Sequence, residues 1–129
     1  MATNEKFRVG NKVSLPVPDG TKSGDPLRIG SLNVIAETDK AKTDVAPTNA
    51  DGTRNPAYNY GGGNPNGNAS CWLDGAHTFQ VSFAASIGDD IYITPGNALS
   101  ATASGNKPYG HALSTKGATA GPLVVRIAN

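Results

Sequence analysis

The chain has very few of the side chains that most enzymes and cofactor proteins depend on. It carries one cysteine, one tryptophan and two histidines in 129 residues, and aromatic residues make up only 6%. A lone Cys71 rules out an internal disulfide framework. No apolar run approaches the roughly 18 residues that span a bilayer as a helix. The opening Met1-Ala2-Thr3-Asn4-Glu5-Lys6 has no apolar stretch of the secretory type. These features point to a soluble protein synthesised in the cytoplasm. Charge of one sign is lacking too. The 11 basic and 10 acidic residues split at Val45 into seven and six before it, then four and four after. Neither half has the basic excess of a nucleic-acid footprint.

What the chain does have is Gly (16) and Pro (9), together about a fifth of its residues. Both are costly inside helices and useful in turns. Between the turn residues lie short apolar–polar alternations. Phe7-Arg8-Val9 and Val13 to Val17 read as opening strands around a Gly10-Asn11 turn. Pro16 cannot donate to a ladder, so its strand belongs at a sheet edge or breaks there. Leu27-Arg28-Ile29 and Leu32 to Ala36 follow. Thr78 to Phe83 alternates strictly and directs Phe79, Val81 and Phe83 to one face. Ile91 to Thr94, Ala98 to Ala103, Tyr109 to Leu113 and Leu123 to Ile127 complete the set. The expected fold is all-β, a small barrel or sandwich of about eight short strands. Thr38 to Lys42 could supply one helical turn, but no 3.6-residue apolar stripe extends it.

Residues 44–70 differ in character. They are rich in Asn, Gly and Pro, and Tyr58 and Tyr60 are their only aromatic side chains. This stretch reads as a long surface loop. It packs either on a neighbouring subunit or back on its own domain. The predicted organisation is an N-terminal arm and first strand over 1–12, then a β-barrel-like domain over 13–129 with the loop inserted at 44–70.

Searching for chemistry yields little. Gly20-Thr21-Lys22-Ser23 resembles only the end of a phosphate-binding loop and lacks the strand and helix that motif requires. Cys71, His77 and His111 have no metal-ligand spacing. Asp89-Asp90 follows Gly88 and reads as a turn, because adjacent strand residues point to opposite sides. No G-x-S-x-G elbow is present. The reading contains no catalytic residue, no metal, no cofactor and no small-molecule substrate.

Several short motifs, in order, resemble a small phage family usually described as capsid decoration or head-cementing proteins, some members of which carry a recombinase label. They are the Met-Ala-Thr-Asn opening, Ser23-Gly24-Asp25-Pro26-Leu27-Arg28-Ile29-Gly30, and Val34-Ile35-Ala36-Glu37-Thr38-Asp39. Asp74-Gly75 to Phe79, Ile87 to Tyr92, Tyr109 to Leu113, and Val124 to Ile127 continue the series. The match covers about residues 1–45 and 71–129, while the Gly/Asn-rich 44–70 stretch is longer than the family pattern. The absent phosphate loop argues against the recombinase label. The resemblance implies a β-barrel-like homotrimer on the outer surface of a virion, with the major capsid protein as partner and without nucleic acid or membrane. Two readings of the arm follow: Thr3, Asn4, Glu5, Lys6, Phe7, Arg8 and Val9 clamp a capsid-protein sheet, or they form the domain's own first strand. Tyr58 and Tyr60 are expected either to insert into a subunit interface or to pin the loop to its own domain. The alternative function is a tail, fibre or virion-surface module that binds a carbohydrate or receptor, with Trp72 offering an aromatic face.

Overall fold

The computed structural model describes residues 11–129. The arm residues Thr3 to Val9, and the turn at Gly10, lie outside that range. Two antiparallel sheets build the domain, and the fold is all-β. The first has β1 (Lys12–Pro16), β2 (Pro26–Ile29), β3 (Leu32–Ala36) and β4 (Asn68–Trp72) in the order β1-β4-β3-β2. The second has β5 (Ala76–Val81), β6 (Asp90–Ile93), β7 (Leu99–Ser100), β8 (Lys107–Ala112) and β9 (Gly121–Ile127) in the order β5-β9-β8-β6-β7.

The alternating residues explain the packing. Phe79 and Val81 of β5, Ile91 and Ile93 of β6, Tyr109 of β8 and Leu123, Val125 and Ile127 of β9 point into one core. A smaller core joins Val17, Leu27, Val34, Ala36, Ala69 and Cys71. Phe79 and Tyr109 meet edge to face, with ring centroids 6.0 Å apart, the arrangement the ring quadrupoles favour. The Tyr109 hydroxyl donates a 2.6 Å bond to the Val34 carbonyl, which ties the second sheet to the first. Gly110 allows β8 and β9 to approach, since a Cβ there would lie 2.0 Å from the Arg126 carbonyl oxygen.

Pro16 ends β1, which is an edge strand among the described residues, as its missing N–H requires. Three expectations need correction. Thr38 to Lys42 forms no helical turn; it runs irregularly and is held by backbone bonds, Ala41 N–H to Asn68 O at 2.8 Å and Lys42 N–H to Asn59 O at 2.7 Å. The strand expected over 98–103 is regular only at Leu99–Ser100. The loop closes earlier than position 70, because Asn68 to Ser70 belong to β4, an interior strand with β1 on one side and β3 on the other.

Candidate binding surfaces

A groove of about 720 Å³ is lined by Thr78 to Phe83 of β5 and its extension, by Ser23 to Pro26, and by Asn97 to Leu99. It lies where both edges of the five-stranded sheet, β5 and β7, come near the start of β2. The Ile127 N–H bonds the Gly75 carbonyl at 3.0 Å. The β5–β9 register then places Phe79 opposite Leu123 and Val81 opposite Gly121. Hydrogen-bonded and non-bonded pairs alternate along an antiparallel ladder. His77, Phe79 and Val81 therefore bond to β9, while the peptide groups of Thr78 and Gln80 face away from it. Among the described residues no strand pairs with β5 on that side. Such an edge is a template for an added strand. The Asn97 side chain, at a left-handed φ of 64°, accepts the Arg28 N–H at 3.2 Å and stiffens the opposite wall.

The 44–70 loop is folded onto its own domain. Lys42 and Asn59 exchange backbone bonds of 2.7 and 3.0 Å, Gly67 N–H reaches the Ala41 carbonyl at 2.8 Å, and Val17 N–H reaches the Gly67 carbonyl at 3.2 Å. The Asn64 amide donates to the Gly61 carbonyl at 2.6 Å and to the Ser70 hydroxyl at 3.0 Å. Gly61 opens a short 3-10 turn, Gly61–Gly63. It has φ +60° and its α-carbon sits directly on Ala41, so a Cβ would fall 2.4 Å from the alanine methyl. Tyr58 is half-buried and Tyr60 is 66% exposed. The loop presents Tyr60 rather than burying it.

The residues weighed for chemistry are far apart in their roles. Cys71 is fully buried in the smaller core, and burial pushes its thiol up to about 11. His111 faces Asp90 across β8 and β6, Nε2 to Oδ1 3.2 Å, with both side chains more than half exposed. His77 Nε2 lies 3.2 Å from the Asp74 carbonyl. Asp89 accepts the Ser86 N–H at 2.8 Å and closes a turn. In the Gly20 to Ser23 stretch, Thr21 donates to the Pro18 carbonyl and Ser23 to the Glu37 carbonyl, at 2.8 and 2.6 Å. No group of three His, Cys, Asp or Glu side chains able to hold a metal occurs among the described residues.

Trp72 is partly buried against the main core, and the Lys12 ammonium stands 4.9 Å from its ring centroid. That contact is a cation–π pair. The Lys12 side chain thus lies over one face of the ring.

The alternation of 78–83 was legible in the sequence, but the open side of β5 was not, because edge position depends on strand order. Comparison of the chain with protein-family models, with curated proteins and with solved structures returns no match.

Proposed function

We propose that the chain is a structural virion protein that binds the outer surface of a mature tailed-phage capsid and cements the shell, acting as a homotrimer. The observation that carries this reading is the open β5 edge beside the groove. It offers backbone donors and acceptors at Thr78 and Gln80, spaced for an extended protein segment. The major capsid protein supplies such a segment in this reading, and main-chain bonds provide the affinity. A subunit that binds only the mature lattice stabilises it by mass action. The all-β fold agrees with what the family resemblance implies. The exposed Tyr60 on a stiffened loop gives a second contact surface, towards either the shell or a neighbouring copy. The arm Thr3 to Val9 is a third; the decoration reading does not depend on which of the three meets the shell.

Cosedimentation of the purified protein with mature, undecorated capsids tests the proposal. Saturable binding at a simple ratio of copies per capsid-protein subunit is the expected result. Absence of binding at any ratio sinks it. Sedimentation equilibrium of the free protein, with Tyr58→Ala/Tyr60→Ala alongside, tests the trimer and the role of the loop. A trimer mass that the double variant leaves intact removes these tyrosines from the subunit interface.

A second reading draws on the polar lining of the groove, to which Ser23, Thr78, Gln80, Ser82 and Asn97 contribute together with Phe83. Hydroxyl and amide groups beside an aromatic ring suit a carbohydrate. Glycan-array binding lost in Phe83→Ala, without capsid binding, would favour a virion-surface receptor module.

A further inference from the structure

Asn66-Gly67 is the single Asn-Gly dipeptide of the chain. In an unfolded peptide this pair is chemically weak. The glycine N–H, unhindered by a side chain, attacks the asparagine amide carbon. A new C–N bond forms, ammonia leaves with the displaced amide nitrogen, and a five-membered succinimide remains. Water then opens the ring at either carbonyl, giving aspartate or isoaspartate.

The folded loop holds both reacting groups. Gly67 N–H, the nucleophile, donates to the Ala41 carbonyl at 2.8 Å. The Asn66 amide oxygen accepts the Thr43 N–H at 2.8 Å. Gly67 itself adopts φ +88°, and its carbonyl accepts the Val17 N–H at 3.2 Å. Ring closure needs the Gly67 nitrogen to leave Ala41 and turn towards the asparagine side chain. It therefore needs the loop to open. The bonds that resist opening are anchored by Gly61 against Ala41 and by the Asn64 amide.

We propose that Asn66-Gly67 is a latent site of spontaneous deamidation, held unreactive by the docking of the 44–70 loop and released when that loop opens. The inference is independent of the capsid reading. Its consequence falls on the fold. Isoaspartate at position 66 adds a methylene to the backbone two residues before β4, an interior strand of the first sheet. The extra atom displaces Gly67 from both Ala41 and Val17, so the modified loop cannot close in its original register.

The test is peptide mapping by mass spectrometry, with isoaspartate quantified, on the full chain incubated at neutral pH. Folded protein is compared with the same chain in denaturant. Reaction that proceeds only through local opening is slowed by the opening equilibrium, so at least about a tenfold slower conversion of Asn66 in the folded chain is expected. Asn64→Ala, which removes the side-chain anchor, should raise the folded rate several-fold. Equal rates in folded and denatured chain overturn the proposal. So does a faster Asn64→Ala reaction at other asparagines with Asn66 unchanged. If Asn64→Ala does not fold, the wild-type chain in denaturant below its unfolding transition serves instead. Conversion at Asn66 should then rise with denaturant before global unfolding, and a flat response there overturns the proposal.

Discussion

The Asn129 side-chain amide docks on the backbone of Asn33 like a one-residue strand. Its oxygen accepts the Asn33 N–H at 2.8 Å and its nitrogen donates to the Asn33 carbonyl at 2.8 Å. The same nitrogen reaches the Leu73 carbonyl at 2.6 Å. Asn33 in turn donates through its own amide to the Ala128 carbonyl and accepts Arg28 Nη1, each at 2.8 Å. Arg28 Nη1 continues to the Pro108 carbonyl at 2.9 Å. One polar cluster thus joins β2 and β3 to the end of β9 and the start of β8. Asn33 is buried, so each lost partner leaves a desolvated group unpaired.

Replacing Asn129 with Ala should lower the unfolding free energy by about 1–3 kcal/mol, the range for orphaning buried polar groups. Urea denaturation measures it. A loss within error would show that water replaces the amide at no cost.

Alkaline pH should weaken the fold. Burial raises the Cys71 thiol to about 11 from 9.0. Burial first, and then the charge of Cys71, raises the Tyr109 hydroxyl above its ordinary value of 10.0. Raised folded values mean that the neutral forms are favoured in the native state. This stability is complete below the unfolded values and is lost as pH rises through the folded ones. The urea midpoint should fall from about pH 9 upwards, and Cys71→Ala should flatten the first part of the decline. A midpoint constant to pH 11 contradicts the assignment. The native thiol should also resist alkylation until the chain unfolds.

Acid acts on Asp39. The Ser23 N–H, at 2.8 Å, and the Asn59 amide, at 3.1 Å, hold its carboxyl below the ordinary 3.8, with Lys22 adding a smaller contribution and burial opposing. A depressed folded value gives stability that is present above the unfolded value and lost as pH falls through the folded one. Asp39→Asn should therefore be less stable at neutral pH and show a shallower acid limb below about pH 4. Urea midpoints through that range check it. An acid limb with the wild-type slope would assign the acid sensitivity to other carboxylates.

The β5 edge can be blocked without touching its ladder to β9. The Gln80 N–H faces the open side, so proline there removes an edge donor while the bonds to β9 remain. On the proposed decoration reading, Gln80→Pro should keep the circular-dichroism spectrum and sedimentation mass of the unmodified protein, yet bind capsids at least about tenfold more weakly, the factor given by roughly 1.4 kcal/mol. Undiminished binding by a folded Gln80→Pro places the capsid contact elsewhere.

Sequence alone determined the class of the fold. Period-2 alternation at 78–83, 91–94 and 123–127 forces one face of each strand out of water, and Gly and Pro leave no room for a helix between them. Pro16 marked an edge strand for the same local reason. The β4 strand escaped that reading because its inward residues, Ala69 and Cys71, are small and follow a Gly/Asn tract that looks like a loop. Its identity comes from pairing with β1 and β3, partners more than 30 residues away in the chain. The loop's register on Ala41, the clasp between Asn33 and Asn129 and the open side of β5 share that dependence. Each is a relation between distant segments. A hydrogen-bonding backbone group carries no mark in the sequence of which partner the tertiary fold will bring to it.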